Sequence, residues 1–402
     1  MGGHTIRFIL FILTSAFFLL SISSNDVFSQ ATENPVSPSR NIHHKPERGK
    51  ERKSKNLPDG YRTIDGSGNN LSSLEMGSSF SRLLRLVSSD YSDSISELSG
   101  KNRSSARKIS NIVASQDELI PNEHQATDYL WQWGQFLDHD IDLTDGTQPP
   151  EKENILVPAG DKYFDPESTG TEIIEFNRSL YDKNTGTGID NPREQLNEIT
   201  AWIDASNIYG SNTERANALR ANDGSGRMKM QDNLLTFNTL GLPNAGGEGE
   251  NLFISGDVRA NEQVALTAMH TLFSREHNRL ADIIAEENPD YTGDEIYEKA
   301  RKIVGAEMQV ITYNEFLPSL LGDGRLSDYN GYNPNINSDI MNEFSTAAYR
   351  FGHSALSPTL LRLNKEMEVI QQGNLPLRNA FFSPARIVEE GGIDPLLRGL
   401  SA

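Results

Sequence analysis

The chain of 402 residues contains no cysteine. This absence excludes disulfide bonds, thiolate metal ligands and a cysteine nucleophile, so the fold depends on packing and on any ion or cofactor that it binds. Basic residues are also scarce, since 37 Lys and Arg stand against 56 Asp and Glu and give a formal net charge of -19. Proteins that bind nucleic acid usually carry a basic footprint, and this charge balance therefore argues against such a partner.

Long hydrophobic runs are few. One run, FILFILTSAFFLLSI at residues 8–22, follows Arg7 and is succeeded by the small residues Ser29 and Ala31. This order is typical of a secretory signal peptide, which we expect at residues 1–30, and it predicts a secreted, extracellular protein. An uncleaved membrane anchor is the alternative, although the run is short for a span of about 20 residues. No later run has the length and apolar character of a transmembrane segment.

Two regions follow the predicted signal peptide. Residues 31–58 are rich in Pro, Ser and charged residues, with HHKPERGKERKSK at their centre, and are typical of a disordered linker. Globular character begins near Tyr61, and we expect one large domain over residues 59–402.

Within that domain, hydrophobic residues recur at helical intervals in three long stretches. One stretch runs from Glu262 to the residue before Pro289, and the next opens with the spacing of a capping box at Thr292. The stretch INSDIMNEFSTAAYRFGHSAL at residues 336–356 predicts another helix. Gly, Pro, Asn and Asp mark long loops elsewhere. The sequence therefore predicts a mainly α fold with extended connections.

The stretch YLWQWGQFLDHDIDLT at residues 129–144 predicts an amphipathic helix with an unusual polar face. The hydrophobic side of its helical wheel carries Leu130, Trp133, Leu137 and Ile141. The opposite side carries Gln135, Asp138, His139 and Asp142. Asp140 lies roughly 100° round the helix from His139, which indicates a different partner. A solvated face is the ordinary interpretation, but no Lys or Arg balances the acids, and a histidine one turn from an amide suits proton transfer.

The stretch TAWIDAS alternates oxygen-bearing and hydrophobic side chains. The side chains of Thr200, Asp204 and Ser206, together with the backbone carbonyl of Trp202, offer an oxygen at every second position. Oxygens in this arrangement suit a loop wound around a hard cation. The end of a strand with capping side chains is the alternative interpretation.

Two further motifs carry candidate chemistry. SGDVRANEQ places Arg259 and Glu262 directly before a predicted long helix, where such a pair is ordinarily an ion pair at the helix start. YRFGHS places His353 beside Gly352. A lone histidine in an apolar helix is ordinarily a satisfied core residue, but the small neighbour would let a flat cofactor approach closely.

Five segments, in the same order and spacing, resemble the animal haem peroxidases: WGQFLDHDIDLT, TAWIDASNIYGS, GDVRANEQVALTAMHTLFSREHNRL, ARKIVGAEMQVITYNEFLP and AYRFGHS. The similarity extends from residue 61 to residue 400. The resemblance implies a mainly helical domain with long loops, in which haem lies between a distal helix and a proximal helix. It also implies a secreted haem peroxidase that reduces hydrogen peroxide and oxidises a small donor such as a halide, thiocyanate or a phenol.

The resemblance assigns catalytic roles around a haem b cofactor. His139 resembles the distal histidine, Gln135 its partner, Arg259 the distal arginine and His353 the proximal iron ligand. These roles suit the chemistry, because heterolytic cleavage of peroxide needs a base that returns the proton and a fixed cation for the departing oxygen.

Further positions match the family's cofactor and ion sites. Asp138 and Glu262 match the carboxylates that the family can esterify to haem methyl groups. Asp142 and Arg350 match positions near the haem propionates. The implied calcium ligands are Asp140, Thr200, Trp202 through its carbonyl, Asp204 and Ser206.

The chain departs from the animal members in three ways. It lacks their cysteines. Gln263 stands where members with a sulfonium link to haem carry Met, so we expect that link to be absent. The family's asparagine partner of the proximal histidine would lie beyond Ala402, and we therefore expect the C-terminal part of the domain to be missing from this sequence.

Two other functions compete with a peroxidase. A fatty-acid dioxygenase of the same superfamily carries a radical tyrosine three residues before the proximal histidine. Here that position is Arg350, and Tyr349 lies one residue too far, a rotation of about 100° on a helix. A non-catalytic secreted adhesion or matrix module with a peroxidase fold is the other alternative, and the set of His139, Gln135 and Arg259 argues against it.

Overall fold

The computed structural model of the chain describes residues 60–116 and 120–402. The predicted signal peptide at residues 1–30 and the predicted linker at residues 31–58 lie outside the described residues. Within the described ranges, no helix combines the length and the apolar character needed to cross a membrane.

Helices make up most of the regular structure. The first part of the domain contains α1 (Ala106–Val113), α2 (Tyr129–Ile141), α3 (Ser206–Tyr209) and α4 (Thr213–Leu219). The long helices are α5 (Val264–Glu287) and α6 (Gly293–Ile311), and a π-helical turn at Thr312–Phe316 joins α6 to α7 (Leu317–Leu321). The last part contains α8 (Asn342–Thr346), 3-10 turns at Ala348–Ser354 and Leu377–Asn379, α9 (Ala385–Glu389) and α10 (Asp394–Leu400). The predicted mainly α fold is confirmed.

Strands are short and occur in antiparallel pairs that tie distant loops together. The pairs are β1 (Ser81–Arg82) with β4 (Leu196–Asn197), β2 (Ile155–Leu156) with β3 (Ile173–Ile174), and β5 (Thr359–Leu360) with β6 (Leu375–Pro376). The register of the first pair sets Ser81 opposite Asn197. That asparagine also donates to the carbonyl of Ile141 at 2.8 Å, so the first strand pair holds the end of α2.

The hydrophobic side of α2 packs on α5, as the helical wheel predicts. Phe136 is fully buried, and its ring stacks on Phe273 with centroids 5.2 Å apart. The edge of His270 meets the same ring at 5.0 Å, and Trp133 lies 5.8 Å from Phe273. Aromatic contacts at these distances stabilise a pair beyond its area burial by about 1 kcal/mol each, so α2 is fixed in height and rotation on the long helix.

The two long helices begin where the sequence predicts. The hydroxyl of Thr292 accepts from the backbone N–H of Glu295, whose carboxylate accepts from the N–H of Thr292, a complete capping box at the start of α6. The side chain of Gln263 accepts from the N–H of Ala265 and caps α5. Both caps satisfy backbone donors that a helix start leaves without partners.

The prediction of one helix over residues 336–356 is wrong. Its middle part divides into α8 and the 3-10 turn at Ala348–Ser354, because Ala347 has an extended φ of -132° and leaves the helical conformation. Arg350 reinforces the break, since its Nε donates at 2.6 Å to the carbonyl of Ser345, which an uninterrupted helix would use for its next turn. His353 therefore lies in a 3-10 turn and not in the α-helix that the sequence predicted.

We expect Leu266→Ala to lower the free energy of unfolding by about 2–5 kcal/mol, because it deletes a fully buried side chain of α5 and leaves a cavity. Leu71→Ala makes the same chemical change where the side chain is 85% exposed, and its effect should stay within about 0.5 kcal/mol. Urea denaturation followed by circular dichroism measures both. Equal destabilisation by the two variants would contradict the core described here.

Candidate active site

The polar face of α2 is buried, so its interpretation as a solvated face is wrong. Asp138, His139 and Asp140 have exposed fractions of 4%, 3% and 0%, and Asp142, the C-cap of the helix, is buried beside them. Burying ionisable groups is costly unless each finds a partner. The partners of these four side chains therefore define the site.

His139 and Arg259 meet at a shared carboxylate, Asp257. The Nδ1 atom of His139 lies 3.5 Å from Oδ1 of Asp257. Arg259 donates to both oxygens of the same carboxylate, from Nε at 2.9 Å and from Nη2 at 2.8 Å. Nη2 also donates to the carbonyl of Asp142 at 2.9 Å, so the predicted distal residues come together at the end of α2.

The sequence analysis did not single out Asp257. The signal available for it is its position two residues before Arg259 in the stretch GDVR, a spacing that many surface ion pairs share. Only the fold brings this carboxylate against the imidazole of His139.

The surroundings hold His139 neutral and Arg259 charged. Burial, reinforced by the nearby positive charge of Arg259, lowers the pKa of His139 to about 3. Burial opposes the charge of Arg259, but Asp257 and Asp138 outweigh it and raise the pKa of the guanidinium. At neutral pH the imidazole is therefore a free base that stands beside a fixed cation.

Glu262 lies on the other side of His139. Its Oε2 is 3.7 Å from the Nε2 atom of the imidazole, and 18% of its side chain is exposed. Burial raises the pKa of Glu262 to about 7, so this carboxyl group exchanges protons in the neutral range. The two nitrogens of His139 thus face different carboxyl groups, Asp257 and Glu262.

Gln135 belongs to a network of amides. The Nε2 of Gln263 donates to Oε1 of Gln132 at 2.6 Å and to Oε1 of Gln135 at 3.1 Å. Because the oxygen of Gln263 also caps α5, this amide joins the start of α5 to α2. Gln135 therefore has its oxygen engaged and its NH2 group available for another acceptor.

Arg350 connects the 3-10 turn to α2. Its Nη1 donates to Oδ2 of Asp138 at 2.9 Å and its Nη2 to Oδ1 of Asp142 at 3.1 Å. The hydroxyl of Tyr349 donates to the carbonyl of Gly134 at 3.1 Å. These contacts seat the turn on α2, and His353, which is half-buried, belongs to the same turn.

The two carboxylates that bind Arg350 differ in their ionisation. Burial opposes the charge of Asp138, but the positive charges of Arg350 and Arg259 outweigh it and lower its pKa. Burial and the charge of Asp138 raise the pKa of Asp142 to about 8. Oδ1 of Asp138 and Oδ2 of Asp142 are buried without a hydrogen-bond partner, so the cluster has acceptor capacity to spare.

Asp140 turns away from Asp138 and Asp142 and enters the loop of residues 200–206. Its Oδ2 accepts from the backbone N–H groups of Asp204 and Ala205 at 3.1 and 3.2 Å. Its Oδ1 accepts from the hydroxyl of Ser206 at 3.0 Å. The different partner predicted for Asp140 is therefore this loop.

The loop buries a second acid against Asp140. The hydroxyl of Thr200 donates to Oδ1 of Asp204 at 3.0 Å, while Oδ2 of Asp204 is buried without a hydrogen-bond partner. Burial and the charge of Asp204 raise the pKa of Asp140 to about 8. The described residues hold no group of three or more His, Asp or Glu around a point, and the carboxylates, hydroxyls and carbonyls here are the donor set of a hard cation.

The side chains around His139 also fit a haem. The imidazole of His353 is of the kind that binds haem iron, and Arg350 offers the cation that a propionate needs. Asp138 is the buried neighbour of His139 in the chain, Glu262 lies 3.7 Å from its Nε2, and the unpartnered Oδ1 of Asp138 agrees with a further group at this position.

Comparison with known proteins identifies the family. Residues 61–402 match the family described as animal haem peroxidase. The chain belongs to the animal haem peroxidase family. A peroxidasin homolog of Mus musculus is 40% identical over 388 aligned positions, which cover 85% of this chain and 26% of the mouse protein. The chain thus spans about a quarter of the length of that curated relative, and the family predicted from the sequence is confirmed.

Solved structures agree on the fold. Peroxidase A from Dictyostelium discoideum has a TM-score of 0.77 and 32% sequence identity, and the match covers 85% of this chain and 68% of that one. A fatty acid alpha-dioxygenase of Arabidopsis thaliana matches with a TM-score of 0.59 at 19% identity, covering 85% of this chain and 55% of that one. The second likeness concerns the fold alone.

We expect Arg350→Ala to destabilise this animal haem peroxidase domain by about 3 kcal/mol, because Asp138 and Asp142 would remain buried without their cation. Arg82→Ala removes one half-exposed ion pair with Asp182, and should cost at most about 1 kcal/mol. Thermal unfolding of the two variants provides the comparison. A cost for Arg350→Ala no larger than that for Arg82→Ala would show that the acids do not depend on this arginine.

Proposed function

We propose that this chain is a secreted haem peroxidase that reduces hydrogen peroxide and oxidises a small donor. The observation that carries the proposal is that a buried, neutral His139 and a charged, partly buried Arg259 meet at one carboxylate, Asp257. Family membership supports the same chemistry. Secretion is proposed from the apolar run at residues 8–22.

Haem b is the cofactor that the proposal requires. His353 would bind its iron from the 3-10 turn, and Asp142 and Arg350 would hold its propionates. Asp138 and Glu262 would be the carboxyl groups available for ester links to its methyl groups, each link replacing one methyl hydrogen with hydrogen peroxide as the oxidant. When bound, haem supplies the iron that takes up the oxidising equivalents of peroxide.

His139 would move the proton in the cleavage of hydrogen peroxide. Its neutral imidazole accepts the proton from one peroxide oxygen and returns it to the departing oxygen, which leaves as water. Arg259 stabilises the negative charge that develops on the departing oxygen, and its place in a buried site increases that effect. Gln135 has a free NH2 group with which to orient the peroxide.

A small donor suits this site. His139 is almost fully buried, so only a small molecule can come beside it. Halides and thiocyanate meet this condition and find positive charge at Arg259. Phenols are the alternative donors, and they would give up electrons at a more exposed edge of the cofactor.

We also propose a calcium ion between α2 and the loop of residues 200–206. The unpartnered Oδ2 of Asp204 and the buried carboxyl group of Asp140 beside it support the site. The other ligands would be Thr200, Ser206 and the carbonyl of Trp202. The ion would neutralise two acids that repel each other and hold His139, the neighbour of Asp140, at a fixed position.

A fatty-acid dioxygenase is less well supported. Arg350, and not a tyrosine, precedes His353 by three residues, and Arg350 donates to Asp138 and Asp142. The hydroxyl of Tyr349 is engaged with a backbone carbonyl of α2. A non-catalytic module would gain little from buried ion pairs around a neutral histidine, because well-packed hydrophobic residues in their place are often at least as stable.

The test is the absorption spectrum of the haem-loaded chain before and after one equivalent of hydrogen peroxide. We expect a Soret band that shifts rapidly and then recovers when bromide or iodide is added. We expect His139→Ala to keep the haem band and to slow the shift by a factor of about 100 or more, because general acid–base catalysis typically contributes that much.

His124→Ala is the matched control, since it removes an exposed histidine that takes part in none of the described site contacts. Its spectrum and rate should equal those of the unmodified chain. A haem band that does not respond to peroxide in the unmodified chain would refute the peroxidase proposal. An unchanged rate in His139→Ala would refute the role of that residue.

The calcium proposal predicts that Asp204→Asn changes the unfolding temperature in opposite directions with and without calcium. Calcium at 100 times its Kd should stabilise the chain by about 2.7 kcal/mol over the chelated form. In chelator, we expect Asp204→Asn to unfold at the same temperature as the unmodified chain or higher, because it removes one of two repelling charges. With calcium present it should unfold at a lower temperature, because it loses a ligand.

Scanning calorimetry with and without EGTA measures both effects. Asp290→Asn, at an exposed acid beyond the end of α5, is the control and should respond to calcium like the unmodified chain. A full calcium response in Asp204→Asn would exclude the proposed site.

A further inference from the structure

Two side chains needed for peroxide cleavage depend on one acid. Asp257 is buried at the junction before α5, with an exposed fraction of 2%. Its backbone N–H donates to the carbonyl of Asn207 at 2.8 Å, and its Oδ1 accepts from the backbone N–H of Arg259 at 2.8 Å. Backbone hydrogen bonds therefore fix both the main chain and the carboxylate of Asp257, independently of its contacts with the side chains of His139 and Arg259.

Asp257 determines which way the guanidinium of Arg259 faces. Nε and Nη2 bind its two oxygens in a bidentate arrangement, and Nη2 gives its second hydrogen to the carbonyl of Asp142. Nη1 is the nitrogen left over, and it lies 3.7 Å from Oδ2 of Asp138, outside hydrogen-bond range. The guanidinium of Arg259 is thus oriented so that Nη1 remains available to donate to an oxygen of a bound peroxide.

The same carboxylate determines which nitrogen of His139 is free. Nδ1 faces Oδ1 of Asp257 at 3.5 Å and has no hydrogen-bond partner, although it is buried. Nε2 faces the opposite way, towards Glu262. Hydrogen bonds in catalytic sites are often long before the ligand binds and shorten in the complex. A proton on Nδ1 directed at Asp257 leaves the lone pair on Nε2.

We propose that Asp257 is the positioning residue of this site, the acid that holds His139 with Nε2 as the base and Arg259 with Nη1 as the free donor. The inference rests on the proposed function, because it concerns how that reaction is prepared. Asp257 touches neither peroxide nor haem in this scheme and acts only through the two residues that do. Partners of this kind usually change rates by about 10–100-fold when they are replaced.

Asp257→Asn tests the proposal in the haem-loaded full chain. The amide keeps the size of the side chain but loses one acceptor oxygen, and its NH2 group opposes a proton on Nδ1 of His139. We expect the rate of the peroxide-induced Soret shift to fall about 10–100-fold, with the subsequent rate of iodide oxidation unchanged. Cyanide binding to the ferric haem should slow by a similar factor, because hydrogen cyanide must give its proton to the same base.

Asp161→Asn is the matched control. Asp161 is buried and binds Arg107 through both oxygens, at 2.6 and 3.0 Å, so its replacement breaks the same kind of ion pair away from the site. The two variants should lose similar thermal stability. Only Asp257→Asn should slow cyanide binding and peroxide cleavage.

The outcomes separate the inference from the proposed function. If the unmodified chain binds haem but leaves peroxide intact, the proposed function fails, and cyanide binding still reports on Asp257. Rates in Asp257→Asn equal to those in Asp161→Asn would overturn the inference. If Asp257→Asn does not fold, Asp257→Glu keeps the charge and displaces the carboxylate. Slower cyanide binding in that variant supports positioning, and an unchanged rate overturns it.

Discussion

The structure depends on the burial of the charged side of α2. Asp138, His139, Asp140 and Asp142 follow one another within five positions and are all removed from water. Ionised groups in such surroundings are tolerated only when opposite charges or hydrogen-bond donors accompany them. Their partners come from other parts of the chain, and the segments that surround α2 are largely the ones that supply these partners.

The recruited segments come from three regions of the sequence. Arg350 reaches Asp138 and Asp142 from the 3-10 turn, Asp257 and Arg259 approach from the junction before α5, and the loop of residues 200–206 encloses Asp140. Because the same helix packs its other side on Phe273, it cannot turn to relieve any one of these contacts. The contacts that stabilise α2 in the fold are consequently the same contacts that position the side chains of the site.

The fold by itself does not decide the chemistry. A dioxygenase of 19% identity shares it, and a peroxidase of 32% identity shares it more closely. Local features distinguish a peroxidase from a dioxygenase. Arg350 binds two acids, and the hydroxyl of Tyr349 binds a backbone carbonyl. Burial lowers the pKa of His139. These features support the proposed cleavage of peroxide over a reaction that uses a tyrosyl radical.

The sequence by itself determined the family, the mainly α fold, the long helices with their caps and the two sides of α2, because periodicity and capping are local properties of the chain. It failed where contacts between distant residues decide the outcome. The break at Ala347 follows from Arg350 reaching α2, and Asp257 acquires its place only when α5 brings it to His139. A carboxylate two residues from an arginine is unremarkable in a sequence. Its meaning comes from burial, which removes water and leaves the carboxylate between the guanidinium of Arg259 and the imidazole of His139.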